Sequence, residues 1–212
     1  MVYKEEVRLM VAECLEQEHT RTQEEVLMGI FDIICRLSSG TANHCMRVSK
    51  YSKVLAMGMG MSADEAEKLR QAAMLHDLGK VILPSAIVEK PGKLTMAEYE
   101  TIKQHVIHGY NFLSGAKGET LSLAAQIALE HHERWDGTGY LQKKRDEISL
   151  AARIVSAADV FDALISERCY KEPWPLDKAK AEIIKQGGAQ FDPSVTEAFQ
   201  KCFAPIVDVI PA

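Results

Sequence analysis

The stretch Ser62-Ala-Asp-Glu-Ala-Glu-Lys-Leu-Arg-Gln-Ala-Ala-Met-Leu-His-Asp-Leu-Gly-Lys80 decides the fold class. It opens on a capping box, in which Ser62 and Glu65 satisfy each other's otherwise orphaned amides, and so predicts a helix start. That helix is expected to run into His76 and Asp77, so that imidazole and carboxylate project in neighbouring directions from one turn. Outward from here the apolar spacing is helical almost everywhere. Val7, Val11, Cys14 and Leu15 form one stripe on an acidic N-terminal helix, and further helices are expected over 26–37 and 44–57. After a turn at Lys90-Pro-Gly-Lys93, a second capping box, Thr95-Met-Ala-Glu98, opens the helix that carries His105 and His108. Later helices are expected over 121–132, 149–165, 176–185 and 193–203. No run alternates as a strand does, and no repeat period is present. The expectation is an all-α, compact multi-helix bundle with one long irregular segment, 133–148, whose glycines and charges suit a lid or binding loop.

Composition narrows the function classes. A chain of 212 residues, 47% of them apolar, can bury one full core. The longest apolar stretch is interrupted by Asp32 and Arg36, far short of the roughly 20 residues that span a bilayer. The charged start, Met1 to Arg8, has no apolar signal core and reads as not exported. Five dispersed cysteines (Cys14, Cys35, Cys45, Cys169, Cys202) form no C-x-x-C pair, which fits a reducing cytoplasm and argues against a disulfide framework or zinc ribbon. A net charge of −5 argues against a nucleic-acid polymer as partner, but leaves room for a small anion bound where positive charge is concentrated.

That concentration has a candidate. His44, His76-Asp77, His105, His131-His132 and Asp159 are metal-competent. A carboxylate has two oxygens, so Asp77 could bridge two cations, and two divalent ions roughly 3.5–4 Å apart can clamp both oxygens of an in-line phosphoryl displacement. Five neutral histidines and two aspartates around two dications leave a net charge of about +2, an anion trap in an acidic protein. Lys80, one turn beyond His76, could add a further positive group. Nitrogen and oxygen ligands without thiolate suit iron, manganese, nickel or zinc better than magnesium.

His76-Asp-Leu-Gly-Lys80 resembles the H-D-x-G-K signature of HD-GYP domains, and His131-His-Glu-Arg-Trp-Asp-Gly-Thr-Gly-Tyr140 resembles their H-H-E-x-x-D-G-x-G-Y-P signature up to its last position. The segments around His105, Asp159, Arg168 to Lys171 and Phe191-Asp-Pro193 fall in matching order, so the resemblance covers about 27–203. It implies a helical metallohydrolase that opens cyclic di-GMP to linear pGpG and often GMP by attack of a hydroxide between two metals, in bacterial second-messenger signalling. It further implies that His44, His76, Asp77 and Asp159 hold one metal and that His105, His131 and His132 hold the other, with Asp77 bridging. The metals implied are iron or manganese before nickel or zinc. Lys80 would contact the phosphate and assist the leaving oxygen; Arg168, Lys171 and Tyr140 would bind substrate. The domain would span 26–205, between an N-terminal helical extension, 1–25, and a tail, 206–212. That extension is a candidate homodimer contact or a linker to a sensor.

Three positions depart from the family pattern. Gly40 stands where a third metal would find a glutamate, so two metals are expected. Leu141 replaces the last proline of the signature, which frees a backbone N–H and would loosen the lid or alter a signalling partner's contacts with Gly139-Tyr140-Leu141. Cys169 replaces a proline between Arg168 and Lys171. The plainer readings are a solvated His19, His108 outside the ligand set, Asp162 beside Asp159 as a supporting partner, Trp135 and Trp174 as packing residues, and Lys143-Lys-Arg145 as a solvated loop tip. His131 and His132 point about 100° apart in a straight helix and can both ligate only where the helix ends. Other cyclic dinucleotides, such as cyclic GMP-AMP, and a non-catalytic sensor or scaffold role are the competing functions.

Overall fold

The computed structural model describes residues 2–16, 21–167 and 172–210. Among them are eleven α-helices and no strand, in agreement with the all-α expectation. Helix α1 (Val2–Glu16) precedes α2 (Gln23–Leu37) and α3 (Ser39–Gly58), which begins five residues earlier than the periodicity of 44–57 suggested because the Ser38 hydroxyl accepts the Thr41 amide. Then follow α4 (Ala63–Ala73), a 3-10 turn (Leu78–Ile82), the short α5 (Ser85–Val88), α6 (Met96–Leu113) and α7 (Glu119–Glu130). After the signature loop come α8 (Leu150–Ile165), α9 (Leu176–Lys185), α10 (Pro193–Lys201) and α11 (Phe203–Asp208). Both capping boxes form as read, at Ser62–Glu65 and Thr95–Glu98.

Two helix ends differ from expectation by more than two residues or by a break. α4 stops at Ala73 instead of running into His76 and Asp77. There the amides of Met74, Leu75 and His76 turn to carbonyls three residues back, the tighter 3-10 pitch. The Ala73 carbonyl, which a continued α-helix would offer to Asp77, accepts the His76 amide at 3.3 Å and its Nδ1–H at 2.8 Å. The span 193–203 is likewise split at Cys202. Pro205 has no N–H for the Lys201 carbonyl, so it is accommodated in the first turn of a new helix.

The core lies between α2, α3, α4, α7 and α8, where Leu27, Ile30, Leu55, Leu69, Ile127 and Phe161 are fully or almost fully buried. Val7 and Val11 of α1 and Ile206 of α11 also join it. No described helix is long and apolar enough to cross a membrane.

Candidate metal centre

The segment after α4 reaches the centre because a glycine lets it. A Cβ on Gly79 would stand 2.0 Å from the His105 carbonyl oxygen and 2.6 Å from the Gly109 nitrogen, both backbone atoms of α6. The hydrogen atom at that position therefore sets how near Asp77 comes to His105. We expect Gly79→Ala to destabilise the fold by about 1–3 kcal/mol. By shifting ligands on the order of 1 Å it should also weaken the hold of this centre on divalent metal roughly tenfold or more. A thermal melt and a metal titration that both match the wild type would contradict this.

Asp77, buried to 1% exposure, stands between two sets of imidazoles. Its Oδ2 faces His76 Nε2 at 3.5 Å and His44 Nε2 at 3.8 Å. Its Oδ1 faces His105 Nε2 at 3.4 Å and His131 Nε2 at 3.7 Å. Among the described residues, two groups bring one ligand atom each within 4.8 Å of all the others: His44, His76 and Asp77, and Asp77, His105, His131 and His132. Asp77 is common to both. Asp159, on α8, adjoins the first group through His44 Nε2 at 3.0 Å and approaches His132 Nδ1 at 3.9 Å. α7 ends at Glu130, so His131 is its cap and His132 lies beyond it, the break that lets consecutive histidines turn to one site.

The Nδ1 contacts fix three of these rings. His76 binds the Ala73 carbonyl, His105 the Ile102 carbonyl at 2.6 Å, and His131 the Ile127 and Ala128 carbonyls at 3.1 Å. A carbonyl only accepts, so each Nδ1 carries the proton and each ring turns its Nε2 inward, where it offers a lone pair when the ring is neutral. His44 is oriented instead by the Asp162 carboxylate, 2.7 Å from its Nδ1. Asp162 in turn receives a two-pronged bond from Arg47, at 2.7 and 2.8 Å.

These donors fit divalent cations. The Nε2 atoms of His105 and His131 stand 3.3 Å apart, lone pair toward lone pair, an arrangement that a cation stabilises. His76 Nε2 and Asp77 Oδ1 are buried with no hydrogen-bond partner, at a penalty of about 1–3 kcal/mol each unless an ion binds them. Burial pushes His105 down to about 3 and His132 well below the usual imidazole range, which keeps their lone pairs open. Burial opposes charge on His44 too, but Asp159 and Asp162 overcome it and raise it to about 9. Burial would raise the Asp77 carboxyl; Lys80 and the histidines outweigh it and hold Asp77 ionised. The Lys80 ammonium contacts Asp77 Oδ2, its side chain a quarter exposed.

The signature loop is tied down more firmly than its composition suggested. The N–H freed by leucine at position 141 donates to Glu133 Oε1 at 2.6 Å, and the Lys143 N–H donates to Oε2 of the same carboxylate at 2.6 Å. The expected loosening is thus offset by a local acceptor. Lys143 is no mere solvated tip either, since its ammonium binds the buried Glu130 at 2.6 Å. Tyr140 folds back over the centre, its ring 4.7 Å from that of His132. His108 faces away, lining a cavity with Arg8, Val11 and Phe112. Arg168, Cys169, Lys171 and His19 lie outside the described residues. Sequence reasoning missed Arg47 and Glu133, whose partners could be named only from the fold.

An HD domain family model matches residues 17–195, and the chain belongs to that family. It is 41% identical over 207 residues to a cyclic di-GMP phosphodiesterase of Thermotoga maritima, covering 95% of this chain and 56% of that protein. It is 37% identical over 177 residues to 3'3'-cGAMP-specific phosphodiesterase 2 of Vibrio cholerae, covering 83% of this chain and 34% of that one. The chain thus spans between a third and just over half of these relatives. A solved HDG"Y"P protein of Bdellovibrio bacteriovorus, Bd1817, superposes with a TM-score of 0.66 at 17% identity, over 96% of this chain and 71% of that one; this likeness concerns the fold alone.

Proposed function

We propose that the protein is a phosphodiesterase that opens a cyclic dinucleotide, cyclic di-GMP first, to pGpG and/or GMP. One observation carries the reading: each oxygen of the buried Asp77 faces its own set of inward-turned imidazoles. His44, His76, Asp77 and Asp159 would hold one divalent ion, and Asp77, His105, His131 and His132 a second. Such ions, iron or manganese before nickel or zinc, supply Lewis acidity toward phosphoryl oxygens and make water nucleophilic at neutral pH. Around them the chain's own groups keep the site dry and fixed. Lys80 offers its ammonium to the phosphate and the departing ribose oxygen, and Tyr140 closes the loop side. Arg168 and Lys171 complete the proposed substrate set on sequence resemblance. Cyclic GMP-AMP is the second reading, favoured by the 37% identity to the Vibrio cholerae relative named for that substrate.

The site-bearing unit is residues 26–205, with 1–25 as an extension. A homodimer through α1 would use the face of the exposed Leu9, because Val7 and Val11 are covered by the protein's own core. A signalling partner at Gly139-Tyr140-Leu141 would meet the exposed Leu141 side chain.

The test is anaerobic purification, metal analysis and incubation with cyclic di-GMP, followed by chromatography. About two equivalents of iron or manganese with formation of pGpG or GMP are expected. Metal without cleavage of either cyclic dinucleotide would sink the reading. Lys80→Ala should keep both ions yet lower turnover on the order of a hundredfold, the usual loss when one charge-stabilising group is removed. Unchanged turnover would take Lys80 out of the catalytic set.

A further inference from the structure

The mouth of the centre carries side chains that no ligand role uses. The first turns of α6, ahead of His105, present Tyr99, 40% exposed and outside the apolar core. Its ring stands edge-on to that of Tyr140 at 6.1 Å. Lys103 Nζ lies 5.5 Å from the Tyr99 ring centre and 5.9 Å from that of Tyr140, held by Glu100 at 2.7 Å. Since Tyr140 in turn leans on His132, a connected run of rings leads from a proposed ligand to the solvent rim and ends on Tyr99. A partly uncovered ring, braced by a second ring and flanked by a cation, can hold a nucleobase by its π face.

The geometry points to Tyr99 as a stacking platform for a purine of the substrate, a specificity-determining residue at the rim of the centre. The inference rests on the cyclic-dinucleotide reading. With one phosphodiester at the histidines, the attached nucleosides extend outward, and among the described residues Tyr99 offers them an exposed ring at the rim. Stacking tolerates any base, because every base has a π face. Tyr99 therefore separates cyclic dinucleotides from small phosphodiesters and does not choose guanine over adenine.

The test compares wild type, Tyr99→Ala and Tyr99→Phe on cyclic di-GMP, cyclic GMP-AMP and bis(p-nitrophenyl) phosphate, a short diester without a nucleobase. Tyr99→Ala should raise KM for both dinucleotides roughly tenfold or more, with kcat and cleavage of the short diester changed by less than about twofold. Tyr99→Phe keeps the ring and should keep KM near the wild-type value. An unchanged KM for the dinucleotides in Tyr99→Ala overturns the inference. So does an equal loss on all three substrates, which would make Tyr99 a scaffold residue. Should wild type cleave none of them, the reading of the function fails, and binding of a fluorescent cyclic di-GMP decides the platform instead. Tyr99→Ala must then weaken that binding about tenfold, and equal affinity overturns the inference.

Discussion

Asp77→Ala is expected to abolish hydrolysis and to remove bound metal from both halves of the centre. Asp77 is common to the two ligand groups and presents one oxygen to each. Every other proposed ligand serves a single group, so its loss would leave one ion in place. Without the carboxylate, the inward Nε2 atoms of His76, His105 and His131 lose the negative charge between them, and two dications would face uncompensated repulsion. Turnover should fall at least about a thousandfold, the upper end of what one electrostatic contact contributes, because a whole reacting assembly goes with it. The fold should survive. Lys80 loses its ion-pair partner but keeps the nearby Asp159 charge, and its side chain is a quarter exposed. The measurement is metal analysis beside circular dichroism. A helical variant that still holds about two metals, or still turns over, defeats the bridging role.

Legibility from sequence followed the range of each interaction. The capping boxes at Ser62 and Thr95 close over three residues, and the structure contains both. The His76-Asp77 and His131-His132 pairs were legible as chemistry because adjacent residues bring rare side chains together wherever the chain goes. The end of α4 at Ala73 was not, since it depends on an imidazole reaching back to a carbonyl, and apolar periodicity carries no trace of that contact. Glu133 shows the same limit on the loop side. Its position in the signature was plain, but its two amide partners lie eight and ten residues on, in a fold-back that composition alone marks only as irregular. Arg47 was invisible for a stronger reason. Its carboxylate partner is 115 residues away, and a lone arginine on a helix otherwise reads as solvated surface.

The pairing of Arg47 with Asp162 leads to the second large expected effect. Asp162, buried to 1% exposure, accepts from both Arg47 prongs and faces His44 Nδ1, so one carboxylate serves a structural partner and a proposed ligand together. Asp162→Ala should destabilise the protein by about 3 kcal/mol, the low end for breaking a buried pair, because the Arg47 side chain is 26% exposed and can partly rehydrate. For a chain of this length that corresponds to a fall in Tm of roughly 6–12 °C. The effect on metal should be one-sided. His44 loses the partner that orients its ring, so the His44–His76–Asp77 group should weaken roughly 10- to 100-fold toward its ion. The His105–His131–His132 group, whose two Nδ1–H contacts are to its own backbone, should keep its affinity. At limiting metal the stoichiometry should therefore fall from about two toward about one. Asp162→Asn keeps an acceptor and the shape of the fork, and should lose less stability than alanine. If Asp162→Ala lowers Tm but binds both ions as tightly as wild type, His44 is positioned without Asp162 and the carboxylate is structural only. If both ions weaken equally, the two groups are not separate sites but one cooperative cage.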